Sequence, residues 1–356
     1  MKNIKISKSI IGINKPTYFI ADIAANHDGE INKAIDLIYS CAEAGANAAK
    51  FQHFAAETIV SDRGFRELNS KYLSHQKKWQ KSVFEVYKEA SINIDWTEKL
   101  KEACEKAKID FLSTPYSYEL ADYLEKFIPA YKIGSGDLNW SDYICYVAKK
   151  KKPMLIATGA STMSEIKKLL KRLLKINSKI ILMQCNTNYT GDDNNLDFIN
   201  LNVLKNFKKQ FPKVILGLSD HTFGHASVLG AISMGARVIE KHYTLDNNLE
   251  GPDHYFSMNQ KTWKEMILRA RELERCLGKV VKEVEKNEKD TVIIQRRSIH
   301  AKKNIPKNKK ITNSDLTILR PAPKNSFQPN ELKKLIGKRA SNFINKGQTI
   351  LKKYVR

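Results

Sequence analysis

Short runs of apolar and β-branched residues recur along the chain with amphipathic stretches between them. That alternation predicts strands followed by helices. The candidate strands are 18–23, 48–52, 111–113, 131–133, 154–157, 180–183, 214–218 and 237–240. Helical patterns fill most of the intervals, among them 34–44, 97–107, 117–126, 163–174 and 261–277. Parallel strands need crossover helices, and eight of them close a sheet, so eight such units in succession predict an α/β fold of the (β/α)8 barrel type. An open doubly wound sheet is the alternative.

Two stretches break the rhythm. Residues 53–95 are too many for an ordinary strand-to-helix loop; with a helical pattern near 80–89 they read as a lid, an oligomer contact or a plain insertion. Residues 285–290 are polar and of mixed charge, and read as a linker. The expected organisation is a catalytic barrel over 1–284, the linker at 285–290 and a small second domain over 291–356, with strand-like pieces at 297–301 and 317–319. A chain of 356 residues suits one barrel with one attachment.

Composition narrows the class. A hydrophobic share of 42% and a charged share of 28% belong to an ordinary globular protein. The opening 23 residues are interrupted by lysines, Asn14 and Asp22, so no apolar stretch is long enough for a signal peptide or a membrane span, and the cytoplasm is the expected compartment. The five cysteines are widely spaced without a CxxC pair, which predicts reduced thiols. The net charge of +23 lacks interleaved aromatics or an RNA-binding motif; it reads as a lysine-rich bias that draws in anionic substrates, and no nucleic-acid or membrane partner is expected.

In a barrel the active site is assembled from the C-terminal ends of the strands. Polar residues cluster at nearly all eight predicted ends: Asp22 with Asn26, His27 and Asp28; Lys50 and Gln52; Ser113 and Thr114; Lys132, Ser135 and Asp137; Thr158; Asn186 and Tyr189; Ser219, Asp220 and His221; Glu240 and His242. Two histidines at neighbouring strand ends can hold one divalent ion and leave positions open for water and substrate. A lone histidine there reads as structural; the pair beside Asp220 and Glu240 reads as a metal site. Lysines inside a barrel mouth need an anionic partner or a depressed pKa. Lys50 and Lys132, with the hydroxyls of Thr114, Ser135 and Ser219 and the amides of Gly134, Ser135 and Gly136, form a candidate cradle for a small phosphate- and carboxylate-bearing anion.

Several blocks together resemble the N-acetylneuraminate (sialic acid) synthase family: AxNHDG at 24–29, KFQ at 50–52, STPY at 113–116, PAYKIGSGD at 129–137, GLSDHT at 217–222, IEKHYT at 239–244 and EGPDH at 250–254. In the tail, RRSI at 296–299 and LRP at 319–321 are similar to that family's antifreeze-like (SAF) domain. The resemblance implies condensation of phosphoenolpyruvate with an N-acetylmannosamine-like open-chain aldehyde, releasing phosphate. It implies a divalent metal on His221 and His242, manganese foremost, with magnesium or cobalt as alternatives. It implies phosphoenolpyruvate on Lys50, Thr114, Lys132, Ser135 and Ser219, and the sugar facing Tyr189 and Asp253, with Gln52 and Asn186 among the substrate contacts. Asp22 and Asp137 take catalytic positions in which the family usually has glutamate.

The expected assembly is a domain-swapped homodimer in which Arg320 reaches the partner's site. Ala157, Gln184 and Thr190 also depart from the family's usual serine, histidine and proline. These departures keep a diacetamido-trideoxyhexose, leading to a legionaminic or pseudaminic acid, as the alternative acceptor. Two further readings of the residues are a Schiff-base aldolase using Lys132 or Lys50 and a non-enzymatic binder of polyanions or glycans.

Overall fold

The structure, a computed structural model, describes residues 3–68, 73, 76 and 79–356. Part of the 53–95 insertion, at 69–72, 74–75 and 77–78, lies outside the described residues. The chain divides into two compact units, Met1–Gly278 and Lys279–Arg356.

The first unit begins with an antiparallel hairpin, β1 (Ile4–Ile6) and β2 (Ser9–Ile11). Eight parallel strands then close a barrel: β3 (Tyr18–Asp22), β4 (Ala48–His53), β5 (Asp110–Pro115), β6 (Tyr131–Ile133), β7 (Met154–Ala157), β8 (Ile180–Cys185), β9 (Ile215–Asp220) and β10 (Ala236–His242). β10 pairs with both β9 and β3, so no sheet edge is left open. All eight predicted strands form, five of them running one or two residues further toward the C-terminal rim than their apolar cores suggest.

Side-chain alternation divides the barrel into two environments. Phe19, Ala49, Phe51, Ile133, Ile156, Leu182 and Ile239 point outward into the main core beneath the helices. Tyr18, Ile20, Ala48, Leu112, Leu155, Ile181, Met183, Ile215 and Val238 form a second cluster with Ile4, Ile6 and Ile11 of the hairpin. The hairpin thus plugs the N-terminal end of the lumen with branched aliphatics. Further toward the C-terminal ends of most strands this apolar filling gives way to polar side chains, as from Ile20 to Asp22, Ala48 to Lys50, Leu112 to Thr114 and Val238 to Glu240.

The surrounding helices carry their own start signals. Thr162 and Glu165 form a reciprocal capping box ahead of the helix Met163–Ile176, whose Ile166, Leu169, Leu170 and Leu173 are buried at helical spacing. In the insertion, Ser82 and Glu85 form the same box on the helix Val83–Ala90. Among the described residues no helix is long and apolar enough to cross a membrane, and all five cysteines are free.

The second unit packs Ile299, Ala301, Ile305, Ile311, Phe327, Leu335, Ala340, Ile344 and Ile350 around the antiparallel pair β11 (Ser298–Ala301) and β12 (Leu316–Leu319). The linker differs from the sequence expectation. Residues 279–284 carry no regular element, whereas 285–290 enters the helical turns Lys286–Glu288 and Lys289–Ile294, because Glu285 and Glu288 cap one another.

Candidate active site

The polar layer at the C-terminal rim lines one cavity. Asp22, Lys50, Gln52, Thr114, Lys132, Ser135, Tyr189, Ser219, His221 and His242 all reach it, together with Glu240, Tyr116 and Cys185. Its volume is only about 40 Å3, room for little more than one water. A wider cleft of about 880 Å3 lies at the opposite end of the barrel, near Ser7, Asn47 and Lys126; it contains no histidine or cysteine and none of the rim residues.

Both lysines are paired. Lys50 Nζ lies 2.7 Å from Asp22 Oδ2, its register partner on the next strand, and Gln52 Nε2 donates to the same oxygen at 3.4 Å. Lys132 Nζ lies 2.8 Å from Glu240 Oε1, which also accepts from Ser219 Oγ at 3.1 Å. Burial opposes the charge on Lys132, but the Glu240 carboxylate outweighs it and the ammonium pKa is raised. Burial likewise opposes ionisation of Glu240, and Lys132 and Lys50 hold its carboxyl below the usual range. Glu240 Oε2 is buried and has no hydrogen-bond partner among the described residues.

The histidine rings stand 5.3 Å apart, centroid to centroid. His221 Nδ1 is 2.7 Å from the Asn186 carbonyl, so this nitrogen carries the proton and donates, which leaves Nε2 as the lone-pair nitrogen when the imidazole is neutral. Cys185 also hydrogen-bonds His221; against the effect of burial, that contact lowers the thiol pKa and raises the imidazole's. Burial and the neighbouring His221 push His242 well below the usual histidine value, and among the described residues its buried Nδ1 has no hydrogen-bond partner. Phe256 and Tyr189 wall the pair, with ring centroids 5.0 Å from His242 and 4.3 Å from His221 respectively. Among the described residues no three His, Cys, Asp or Glu side chains converge as a metal cage. An ion here would take two protein ligands and fill its other positions from water and substrate, as an open catalytic site does.

Behind the rim, Asp220 and Lys241 point away from the lumen and pair at 2.5 Å, with Ser227 donating to Asp220 and Lys241 donating to the Thr222 carbonyl. Beside the fifth strand, Gly159 donates its amide to Ser135 Oγ at 3.0 Å; a Cβ there would come within 2.5 Å of Thr187 Cγ2, so the backbone approach requires glycine.

Four expected site residues lie outside the cavity lining. Asp137 sits on the 3-10 turn Ser135–Asp137, half-buried, with Oδ2 lacking a hydrogen-bond partner among the described residues; burial raises its pKa to about 6. Asn186 serves through its carbonyl, while its amide donates to Phe198 O at 3.2 Å. Asp253 Oδ2 lies 3.7 Å from His242 Nδ1 and accepts from the Ala25 amide at 3.3 Å; burial raises its carboxyl to about 6. Arg320 belongs to the second compact unit, at the end of β12. Gly136 of the expected amide cradle is exposed and does not line the cavity, whereas Gly134 does.

Tyr116, Cys185 and Phe256 are missed by the sequence pattern, and Glu240 is picked out there only as a neighbour of the histidine pair. Tyr116 lies inside a motif block, and Cys185 stands two residues past the predicted strand at 180–183 and ends the observed β8, but which face each takes depends on register.

The model of the NeuB family matches residues 37–282, and the SAF domain matches 296–356. The chain belongs to the NeuB family. Among its relatives, the N,N'-diacetyllegionaminic acid synthase of Campylobacter jejuni subsp. jejuni is 32% identical over 331 residues, covering 92% of this chain and 96% of that protein. The pseudaminic acid synthase of the same organism is 30% identical over 341 residues, 95% of this chain and 96% of that one. Among solved structures, the N-acetylneuraminic acid synthetase of Leptospira borgpetersenii, in complex with citrate, superposes with a TM-score of 0.71 at 27% identity, over 82% of this chain and 95% of that one. The NeuB barrel and the SAF domain agree with the fold read from the strand pattern and the tail motifs.

Proposed function

We propose that this chain is a nonulosonic acid synthase that condenses phosphoenolpyruvate with an open-chain amino-sugar aldehyde and releases phosphate. The observation that carries this reading is the convergence of two buried imidazoles, 5.3 Å apart, with two buried lysines on one cavity at the barrel's C-terminal rim. Named relatives that make legionaminic and pseudaminic acids support it.

Lys50 and Lys132 take the donor's carboxylate and phosphate, aided by the hydroxyls of Thr114, Ser135 and Ser219. Asp22 and Glu240 pair with the two ammonium groups and orient them before the donor arrives. Carbon 3 of phosphoenolpyruvate bonds to the aldehyde carbon, and the aldehyde oxygen becomes a hydroxyl. Water adds at carbon 2, and the bond from carbon 2 to the phosphate oxygen breaks. The products are a 2-keto acid three carbons longer than the aldehyde and inorganic phosphate.

His221 and His242 would hold a divalent metal, manganese foremost, with magnesium or cobalt as alternatives. The fit rests on the His221 tautomer set by the Asn186 carbonyl and on the unpartnered, buried Nδ1 of His242. Such an ion supplies Lewis-acid polarisation of the aldehyde carbonyl. Tyr189, Asp253, Gln52 and Asn186 stand on the acceptor side, while Asp22 and Asp137 are the carboxylates available for proton handling. The enzyme works in the cytoplasm as a homodimer, with Arg320 of the partner subunit completing the acceptor end.

For the acceptor, an N-acetylmannosamine-like aldehyde is the first reading. A diacetamido-trideoxyhexose is the second, favoured by the 32% identity to the legionaminic acid synthase. The Schiff-base alternative is disfavoured because Glu240 keeps Lys132 protonated, and an ammonium has no lone pair to attack a carbonyl. The deciding assay is phosphate release from phosphoenolpyruvate across a panel of hexosamine acceptors with manganese, with product masses measured. No phosphate from any member of the panel would refute the proposal; the acceptor giving the highest kcat/KM names the substrate.

A further inference from the structure

Positive charge is distributed unevenly between the two units. Residues 279–356 carry 21 basic and six acidic side chains, a net of +15, whereas the much longer first unit carries 40 and 32, a net of +8. A uniform lysine bias would put most of the excess on the barrel. It lies instead on the small unit.

The fold concentrates it further. From 291 onward the acidic side chains are Asp315 and Glu331. Asp315 is fully buried against Lys309 and Lys303, and Glu331 is paired with Lys352 at 3.0 Å. Neither is available to neutralise the rest of the surface. Backbone bridges between Lys310 and Arg339 and between Ala340 and Val355 bring three separate segments together. Asn308, in a left-handed turn at φ 65°, accepts from Arg339 Nη1 through its carbonyl at 2.8 Å and from Arg356 Nη2 through its side chain at 2.7 Å. Lys307, Lys310 and Lys338 stand around the same turn. All five cations are exposed, and none is ion-paired among the described residues.

Holding like charges together costs free energy unless a counter-charge arrives, and a multivalent anion gains from releasing many small counterions at once. We propose that this face of the C-terminal unit binds an acidic polysaccharide, a chain bearing one carboxylate per sugar. Single-stranded nucleic acid would call for an aromatic stacking platform, and Phe343 is the exposed aromatic of this unit. An inserted membrane surface would call for a long amphipathic helix, and the helices here, Lys289–Ile294 and Leu332–Leu335, are short. The choice of a sugar-acid polymer rests on the reaction proposed above; the charge excess does not. Binding would hold the synthase beside the material its product serves.

The test uses the full chain and colominic acid, a homopolymer of a nonulosonic acid, with affinity measured by calorimetry at two salt concentrations. A Lys307→Glu/Lys310→Glu/Lys338→Glu variant is compared with a control reversing three exposed lysines of the barrel helix, Lys167→Glu/Lys168→Glu/Lys171→Glu. The proposal expects salt-sensitive binding by the native chain, a loss of at least about tenfold in the first variant and near-native affinity in the control. Phosphate release should be unchanged in the first variant, and unchanged melting would show that its fold is intact. Equal loss in both variants, no binding by the native chain, or tighter binding to duplex DNA or to phosphatidylglycerol vesicles at the same salt would overturn it. Because affinity is read without turnover, absent phosphate release with intact polymer binding would strike the reaction proposed above and leave the surface in place.

Discussion

Lys132 and Glu240, both about 5% exposed or less, meet at 2.8 Å across the barrel lumen, so a buried ammonium at the rim owes its charge to one carboxylate from the eighth strand. Removing one partner of a buried pair strands the other, at a cost of roughly 3–5 kcal/mol. Glu240→Gln should therefore lower stability in urea unfolding by that order, and more than Ser219→Ala, which removes only a supporting hydroxyl. Equal, small losses would mean that solvent already compensates the lysine.

The same pairing bears on covalent chemistry. With Lys132 held as an ammonium, borohydride added with pyruvate should leave activity intact, and mass spectrometry should find no added mass on Lys132 or Lys50. A trapped adduct would restore the aldolase reading.

If His221 and His242 hold the metal as proposed, His242→Ala removes one of its two protein ligands. Manganese affinity read by electron paramagnetic resonance should fall at least about tenfold, and turnover should be lost, while the melting temperature stays near the native value. Native manganese affinity in the variant would displace the metal from this pair.

Asp137 has its pKa raised to about 6 by burial. A carboxyl whose folded pKa lies above its unfolded value favours the folded state fully below the unfolded pKa and loses that contribution as pH rises through 6. Asp137→Asn should accordingly stabilise the protein at pH 8, by about 1–2 kcal/mol after allowing for partial exposure, with no gain near pH 3 to 4. If activity falls while stability rises, the carboxylate is kept for chemistry at the expense of folding.

Asp315 behaves in the opposite sense. Burial opposes its ionisation, but Lys309, the amide and hydroxyl of Thr312 and Lys303 outweigh it and hold the carboxyl far below the usual range. Its contribution is complete above the unfolded pKa and is lost as pH falls through the lower folded value. Asp315→Asn should cost roughly 2 kcal/mol at pH 7, and the gap from the native protein should narrow only in strong acid. A gap independent of pH would mean that shape and not charge is the contribution.

The barrel was legible because strands buried on both faces read as unbroken apolar runs, as in MLIA at 154–157 and IILM at 180–183. The polar rim was legible because Lys50, Lys132, His221 and His242 stand where such runs end. What the sequence concealed was partnership. The contact of Lys132 with Glu240 spans 108 positions and exists only through barrel closure, and the Asn186 carbonyl that orients His221 leaves no trace in residue type. Asp137 follows the same motif as Ser135, yet a 3-10 turn carries it away from the cavity lining. The plug at 4–11 was overlooked because its alternation of isoleucine with lysine and serine is only a few residues long.

The Asp220–Lys241 contact works like a dowel between the last two staves. Sliding either strand by one position would turn this pair into the lumen and rotate Ser219, His221, Glu240 or His242 out of it. Because the alignment is fastened on the dry outer side, the loops at the rim can change in length and sequence without disturbing the spacing of the two imidazoles.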